Sequence, residues 1–208
     1  MIVVLGRPGL GHDGTGTPRL HGLAARIASA AAAQAARVEL VGSVGDDPEG
    51  DLVVVALGHA GVGHAALLRD AAGVTPGETP RGTLQRLDAA DVDLGLRYVS
   101  ECRVLVVADQ LDEAAARVAA EAAGFHGAAL VVLVPAGAAV ADGFGASVTA
   151  LEVPAIEDAG AADQEPDAQA AFVTLVAGYA VALDAGRPAA EAFEGAMAEA
   201  GWERASGD

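Results

Sequence analysis

Short, nearly continuous apolar runs punctuate this chain: Ile2–Leu5, Val38–Val41, Arg103–Ala108 and Ala129–Val134. A strand with one wet face alternates apolar and polar residues, whereas one buried on both faces does not. These runs therefore predict central strands of a parallel sheet. Ala146–Val153 is a fifth candidate. Ala-rich, Gly-poor stretches lie between them and predict helices over Arg19–Ala36, from Pro48 to near Gly58–Gly61, Leu111–Ala123, Pro166–Ala185 and Pro188–Ala200. Asp46 or Asp47 is placed to cap the second helix, with Pro48 at its first position. Gly124 is expected to close the third. Gly6 to Pro18 reads as a Gly/Pro-rich loop, and Gly73 to Arg86 as a loop or irregular edge. Strands alternating with helices give an α/β fold, a mostly parallel sheet covered on both faces.

Composition narrows the function classes. The chain's 208 residues suit a single domain spanning 1–208, and the 52% hydrophobic content leans on Ala, so the core is built from small side chains. A net charge of −17 repels phosphate backbones and anionic lipid, which argues against nucleic-acid and membrane partners. No apolar run is long enough to span a bilayer. Met-Ile-Val-Val-Leu, followed at once by Gly6 and Arg7, is no signal peptide, and the expectation is a soluble cytoplasmic protein. All 12 basic residues are Arg, so Walker-type chemistry, which needs a Lys, is excluded. Asn is absent too. Cys102, beside the run Val104–Val107, reads as a buried structural thiol.

Gly9-Leu-Gly-His-Asp-Gly14 matches G-x-G-x-x-G, but Thr15-Gly-Thr-Pro18 delays the helix that a dinucleotide fingerprint requires, and a glycine-rich connector is the preferred reading. His59 and His64 lack metal-ligand spacing, and no metal site is expected. Residues 157–167, carrying Glu157, Asp158, Asp163, Glu165 and Asp167, read as a solvated acidic linker.

One stretch carries more. Ala33-Gln-Ala-Ala-Arg-Val38-Glu-Leu-Val-Gly42-Ser-Val-Gly45-Asp-Asp-Pro-Glu-Gly50, followed by Leu57-Gly-His-Ala-Gly-Val62, resembles the N-terminal signature of the ribokinase/PfkB family of sugar and nucleoside kinases. The match weakens through Val104–Pro135. It returns at Phe172–Ala200, where Ala-Leu-Asp-Ala-Gly186 and Ala189-Ala-Glu-Ala-Phe-Glu-Gly resemble the family's last two helices. The resemblance implies a three-layer α/β/α ribokinase-like fold, with residues 6–20 as an abbreviated lid and substrate region and a shortened C-terminal nucleotide half.

The resemblance also implies site residues. His12, Asp13 and His21 fall where the family's substrate pocket begins. The family's Gly-Gly pair and following Asn align with His21-Gly22 and Arg26, so Gly22 is kept and a cation replaces a neutral amide. The second signature, a Gly-rich turn ending in the Asp that takes the hydroxyl proton, has two registers. One gives Gly160, Ala161 and Ala162 as anion hole and Asp163 as base. The other, free of gaps from Phe172, puts Ala170 in the Asp position. The N-x-x-E magnesium motif and the nucleotide loop have no counterpart between Pro135 and Glu157. The expected function is a catalytically degenerate pseudokinase with a binding or scaffold role, with homodimer formation through the lid edge. The alternative is an active sugar or nucleoside kinase using ATP and Mg2+, with Asp163 as base.

Overall fold

The structure is a computed structural model and describes residues 1–77, 86–154 and 165–201. Six parallel strands form its centre: β1 (Ile2–Leu5), β4 (Val38–Gly45), β5 (Leu67–Asp70), β6 (Val104–Val107), β7 (Ala129–Pro135) and β8 (Thr149–Val153). They are ordered β5-β4-β1-β6-β7-β8, and every neighbouring pair is parallel. The apolar runs predicted as strands are the strands of this sheet. Their side chains divide by the two-residue pleat. Ile2, Val4, Val104 and Val106 face one core, with Ile27 and Ala28 of helix α1 (Leu23–Ala33), Val53 and Leu57 of α2 (Pro48–His59) and Phe172 and Val176 of α5 (Glu165–Asp184). Val3, Leu5, Leu105 and Val107 face the other, with Val92 of α3 (Ala89–Leu96) and Ala115 and Ala119 of α4 (Glu113–His126). Helix α6 (Ala189–Glu199) packs outside α5 and completes a three-layer α/β/α fold. Among the described residues no helix is long and apolar enough to cross a membrane.

Several expectations are corrected. Gly6–Pro18 is not a loop throughout. Gly9–His12 (β2) and Pro18–His21 (β3) pair antiparallel in a separate two-stranded ribbon, so the first helix begins at Leu23 rather than Arg19. Glycine-rich strands carry no alternation signal. β2 is held instead by backbone, with Leu10 N–H donating to Pro76 O at 2.9 Å and Gly9 packed so closely on Pro76 that a Cβ would clash. Gly124 lies inside α4, and Gly127, at φ 62°, is the left-handed residue that closes it. The second strand runs on to Gly45. Strand β5 and helix α3 lie where no element was predicted. Helix α3 starts from a capping box in which Asp88 accepts from Ala90 and Asp91 N–H and the Asp91 side chain accepts from Asp88 N–H.

Candidate functional site

In an open parallel sheet, ligands settle outside the carboxyl ends of the strands, where the strand order reverses. Here that point lies between β1 and β6, because the chain leaves β1 toward β4 and β5 and later returns to the other side of β1 with β6. Arg7 stands just past the end of β1 and Asp109 just past the end of β6. Arg7 Nε donates to Asp109 Oδ2 at 2.6 Å and Nη2 donates to Oδ1 at 3.0 Å, a two-pronged ion pair to which the Arg7 backbone N–H adds a contact at 3.3 Å. Both side chains are largely shielded, at 18% and 13% exposure. The bonds from the Asp109 carboxylate raise the Arg7 guanidinium further above its already high range, against the opposing pull of burial. Above the pair opens a cleft of about 380 Å³, lined also by Leu23, Arg86, Ala108, Gln110, Leu133, Pro135 and Val153. Its floor is apolar and its charge is held by guanidinium groups, with the one lining carboxylate already engaged.

The residues predicted for the substrate pocket divide in two. Gly22 precedes α1 at φ 81°, a conformation that favours glycine, and lies against Arg7 O and Gly9 N at the base of the ribbon. Arg26, one turn further along α1, is half-buried and donates to Gln169 Oε1 near the start of α5. Burial lowers its proton affinity, and the neighbouring charge of Arg19 lowers it further. His12 and Asp13 instead sit at the exposed tip of the ribbon, roughly 10 Å out along β2 from its base. Asp13 closes the tip, accepting from the Thr15 hydroxyl at 2.6 Å and from the Thr15 and Thr17 N–H groups at 2.8 and 2.9 Å. Those bonds, the Thr15 hydroxyl first, hold its carboxyl below the usual range. Asp163, Gly160, Ala161 and Ala162, like Glu157 and Asp158, lie outside the described residues. Helix α5 begins two positions after Asp163, at Glu165.

The recognisable signature at 38–50 proves to be scaffold. A Cβ on Gly42 would overlap the Gly6 carbonyl oxygen, and one on Gly50 the Gly45 oxygen, so these glycines let β1, β4 and α2 touch backbone to backbone. Asp47 is the N-cap of α2. It accepts from Gly50 N–H at 2.7 Å, from the Thr75 hydroxyl at 2.6 Å and from Thr75 N–H at 2.8 Å, while the Thr75 hydroxyl oxygen accepts from Gly45 N–H at 3.0 Å. Burial alone would raise the Asp47 carboxyl, but these bonds and the charge of Arg69 outweigh it and the net direction is down. The G-x-G-x-x-G stretch lies in the ribbon, where no helix opens to face a pyrophosphate. His64 turns Nδ1 to Val62 O at 3.0 Å. Cys102 is buried, and burial pushes its thiol up to about 11, as a structural thiol requires.

The residues that sequence reasoning passed over are Arg7, Asp109, Arg86 and Gln169. The first two had a signal, since each is the polar residue just after an apolar strand run. Arg86 and Gln169 had none, because they reach the cleft and Arg26 from distant parts of the chain.

No protein-family model and no curated protein matches the chain. Solved structures do. A ribokinase from Arabidopsis thaliana, complexed with ribose and ATP, aligns over 96% of this chain and 90% of its own, with a TM-score of 0.64 and 14% identity. A carbohydrate kinase from Agrobacterium tumefaciens aligns over 96% and 89%, with a TM-score of 0.62 and 15% identity. A protein called Sa239 aligns over 69% of this chain, which spans just over half (57%) of that one, with a TM-score of 0.56 and 17% identity. At these identities the likeness establishes the fold, that of the ribokinase-like kinases.

Proposed function

We propose that this chain is a ribokinase-like protein that binds a small hydroxylated molecule in the cleft above β1 and β6 and has lost phosphoryl transfer. The supporting observation is the route from β8 to α5. β8 is the last strand of the six-stranded sheet, and only residues 154–164 separate it from the helix. So short a connection leaves no length for further strands bearing a nucleotide loop and a magnesium carboxylate. Phosphoryl transfer depends on positioning the donor and neutralising its charge, and the chain has no Lys to assist. What stays in place is an open cleft whose polar lining is Arg7, Arg86, Asp109 and Gln110. A binding or scaffold role follows, with a second copy pairing along β3, the ribbon strand whose outer edge meets no other described strand.

A second reading, an active sugar or nucleoside kinase, is favoured by the placement of α5. The Met1 ammonium binds Asp184 at 2.7 Å and so fixes the C-terminal end of α5 at the amino edge of the sheet. The start of α5, directly after Gly160–Asp163, is thereby brought to the carboxyl edge, where an anion hole and a base would be needed. Calorimetric titration of ATP with and without Mg2+, run with a phosphotransfer screen over sugars and nucleosides, decides between the two. The expected result is no magnesium-dependent ATP binding and no transfer, from a chain whose mass by light scattering is that of a dimer. Micromolar magnesium-dependent binding, lost in Asp163→Ala, would establish the kinase instead.

A further inference from the structure

Helix α2 is apolar on more than the face it buries. From Leu52 it reads Leu-Val-Val-Val-Ala-Leu57, and a helix that is hydrophobic all round belongs inside a fold. Val53 and Leu57 do go inside, against the sheet. Leu52 and Val55 do not. They are 44% and 54% exposed, two of the five large apolar side chains that the described residues leave to solvent. With the exposed Pro48 and His59 they form one stripe on the side opposite Val53 and Leu57, because spacings of four, three and four residues return to the same side of a helix. That spacing is a short heptad seam, and it reads the same in both directions about a centre between Val53 and Val54. A copy of α2 laid antiparallel therefore sets Leu52 on the second copy's Val55 and Pro48 on its His59, each contact made twice about a two-fold axis. The charges favour the same arrangement. Glu49 and Asp51 lie in the first turn of α2 and His59 in the last. Antiparallel packing keeps the two acidic turns apart, brings each to the other copy's histidine and opposes the helix dipoles, whereas parallel packing would put acid on acid.

We propose that the outer stripe of α2 is a self-association surface, on which a second copy of this chain packs its own α2 antiparallel. As in the reading above the partner is a second copy, on which this inference rests; pairing along β3 is not required. The twelve residues of α2 make a seam about 18 Å long. Alone it covers less than the ~800 Å² per partner of a standard interface, so the dimer is a weak one, with a dissociation constant on the order of tens of micromolar.

The test is sedimentation equilibrium of the full chain from roughly 1 to 300 µM, repeated for Leu52→Asp and Val55→Asp. Each copy carries a net charge of −17, so the runs are made in about 0.3 M salt, which screens the repulsion between copies. The wild type passes from monomer to dimer across that range. Each substitution weakens the dimer by about tenfold or more, because a carboxylate is then buried against an apolar side chain. Both sites are exposed in the single copy, so the dilute variants keep the wild-type melting temperature. Cysteine cross-linking reads the direction of packing. Positions 48 and 59 lie about 16 Å apart along the helix, too far for a disulfide between like positions of an antiparallel pair. Mild oxidation therefore joins a Pro48→Cys chain to a His59→Cys chain and joins neither to its own copies, while the native Cys102 is buried and stays unreactive. Should an aspartate variant unfold, the cross-link yields carry the test. A wild-type chain that is monomeric throughout overturns this proposal and the β3 dimer together. A dimer unmoved by both aspartates overturns the α2 proposal alone and leaves β3 as the interface. Cross-linking of each cysteine chain to its own copies, in place of the mixed product, overturns the antiparallel seam.

Discussion

The turn from β4 into α2 and the cleft above β1 and β6 lie on the same carboxyl edge of the same sheet, yet they are built in opposite ways. In the turn, the Asp47 oxygens are occupied by protein donors, and Gly42 and Gly50 exist to let backbones touch. In the cleft, the lining charges are those of Arg7, Arg86 and Asp109, and Arg7 is paired with Asp109 while the cleft stays open above them. The satisfied region carries the recognisable motif. The cleft carries no part of that motif. Polar groups fully engaged within the fold have nothing left to offer a ligand, so a strong family signature marks scaffold as readily as it marks a site.

The sharpest way to break this comparison is Gly42→Ala. Its new Cβ must displace the Gly6 carbonyl and separate β1 from β4. A loss of roughly 3 kcal/mol or more in urea unfolding is expected, with a loss under 1 kcal/mol showing that the strands yield easily. Next comes Asp47→Ala, which removes the α2 cap and strands the Thr75 hydroxyl and N–H, for about 2 kcal/mol. This loss depends on pH. The folded carboxyl titrates below its unfolded value of about 4, so the stabilisation is present above that pH and disappears as pH falls through the folded value. Wild type and Asp47→Ala should therefore converge in stability below about pH 4, and a gap that stays constant into strong acid would show that the charge of Asp47 contributes nothing. The smallest effect belongs to the cleft. Replacing both partners, Arg7→Gln with Asp109→Asn, leaves no lone charge behind and costs about 1 kcal/mol or less. A larger loss would make the pair part of the scaffold after all.

Much of the fold was legible in the sequence because burial on both faces writes itself as continuous apolar runs, and Ile2–Leu5, Val104–Val107 and Ala129–Val134 were read correctly for that reason. The ribbon was not legible. Gly9 and Gly11 carry no propensity for strand, and pairing with β3, the Pro76 carbonyl and the burial of Leu10 hold β2 in place. Helix α3 is short, with two buried side chains, Val92 and Leu96, besides Gly95, too few to write a period. Gly124 against Gly127 shows the same limit. Either glycine could end a helix, and the choice falls where the backbone can turn left-handed and satisfy the last carbonyls.

The sequence by itself determined the layered α/β plan, a cap for α2 at Asp46 or Asp47 and the burial of Cys102, because each is written in neighbouring residues; the structure chose Asp47. Only the tertiary structure decided that Arg7 meets Asp109, 102 positions away, and that Arg26 meets Gln169, 143 positions away. It also placed His12 and Asp13 at the tip of a two-stranded ribbon. The physical reason is that a ligand site is a convergence of side chains from separate strand ends, and the order of strands in the sheet sets which ends are neighbours.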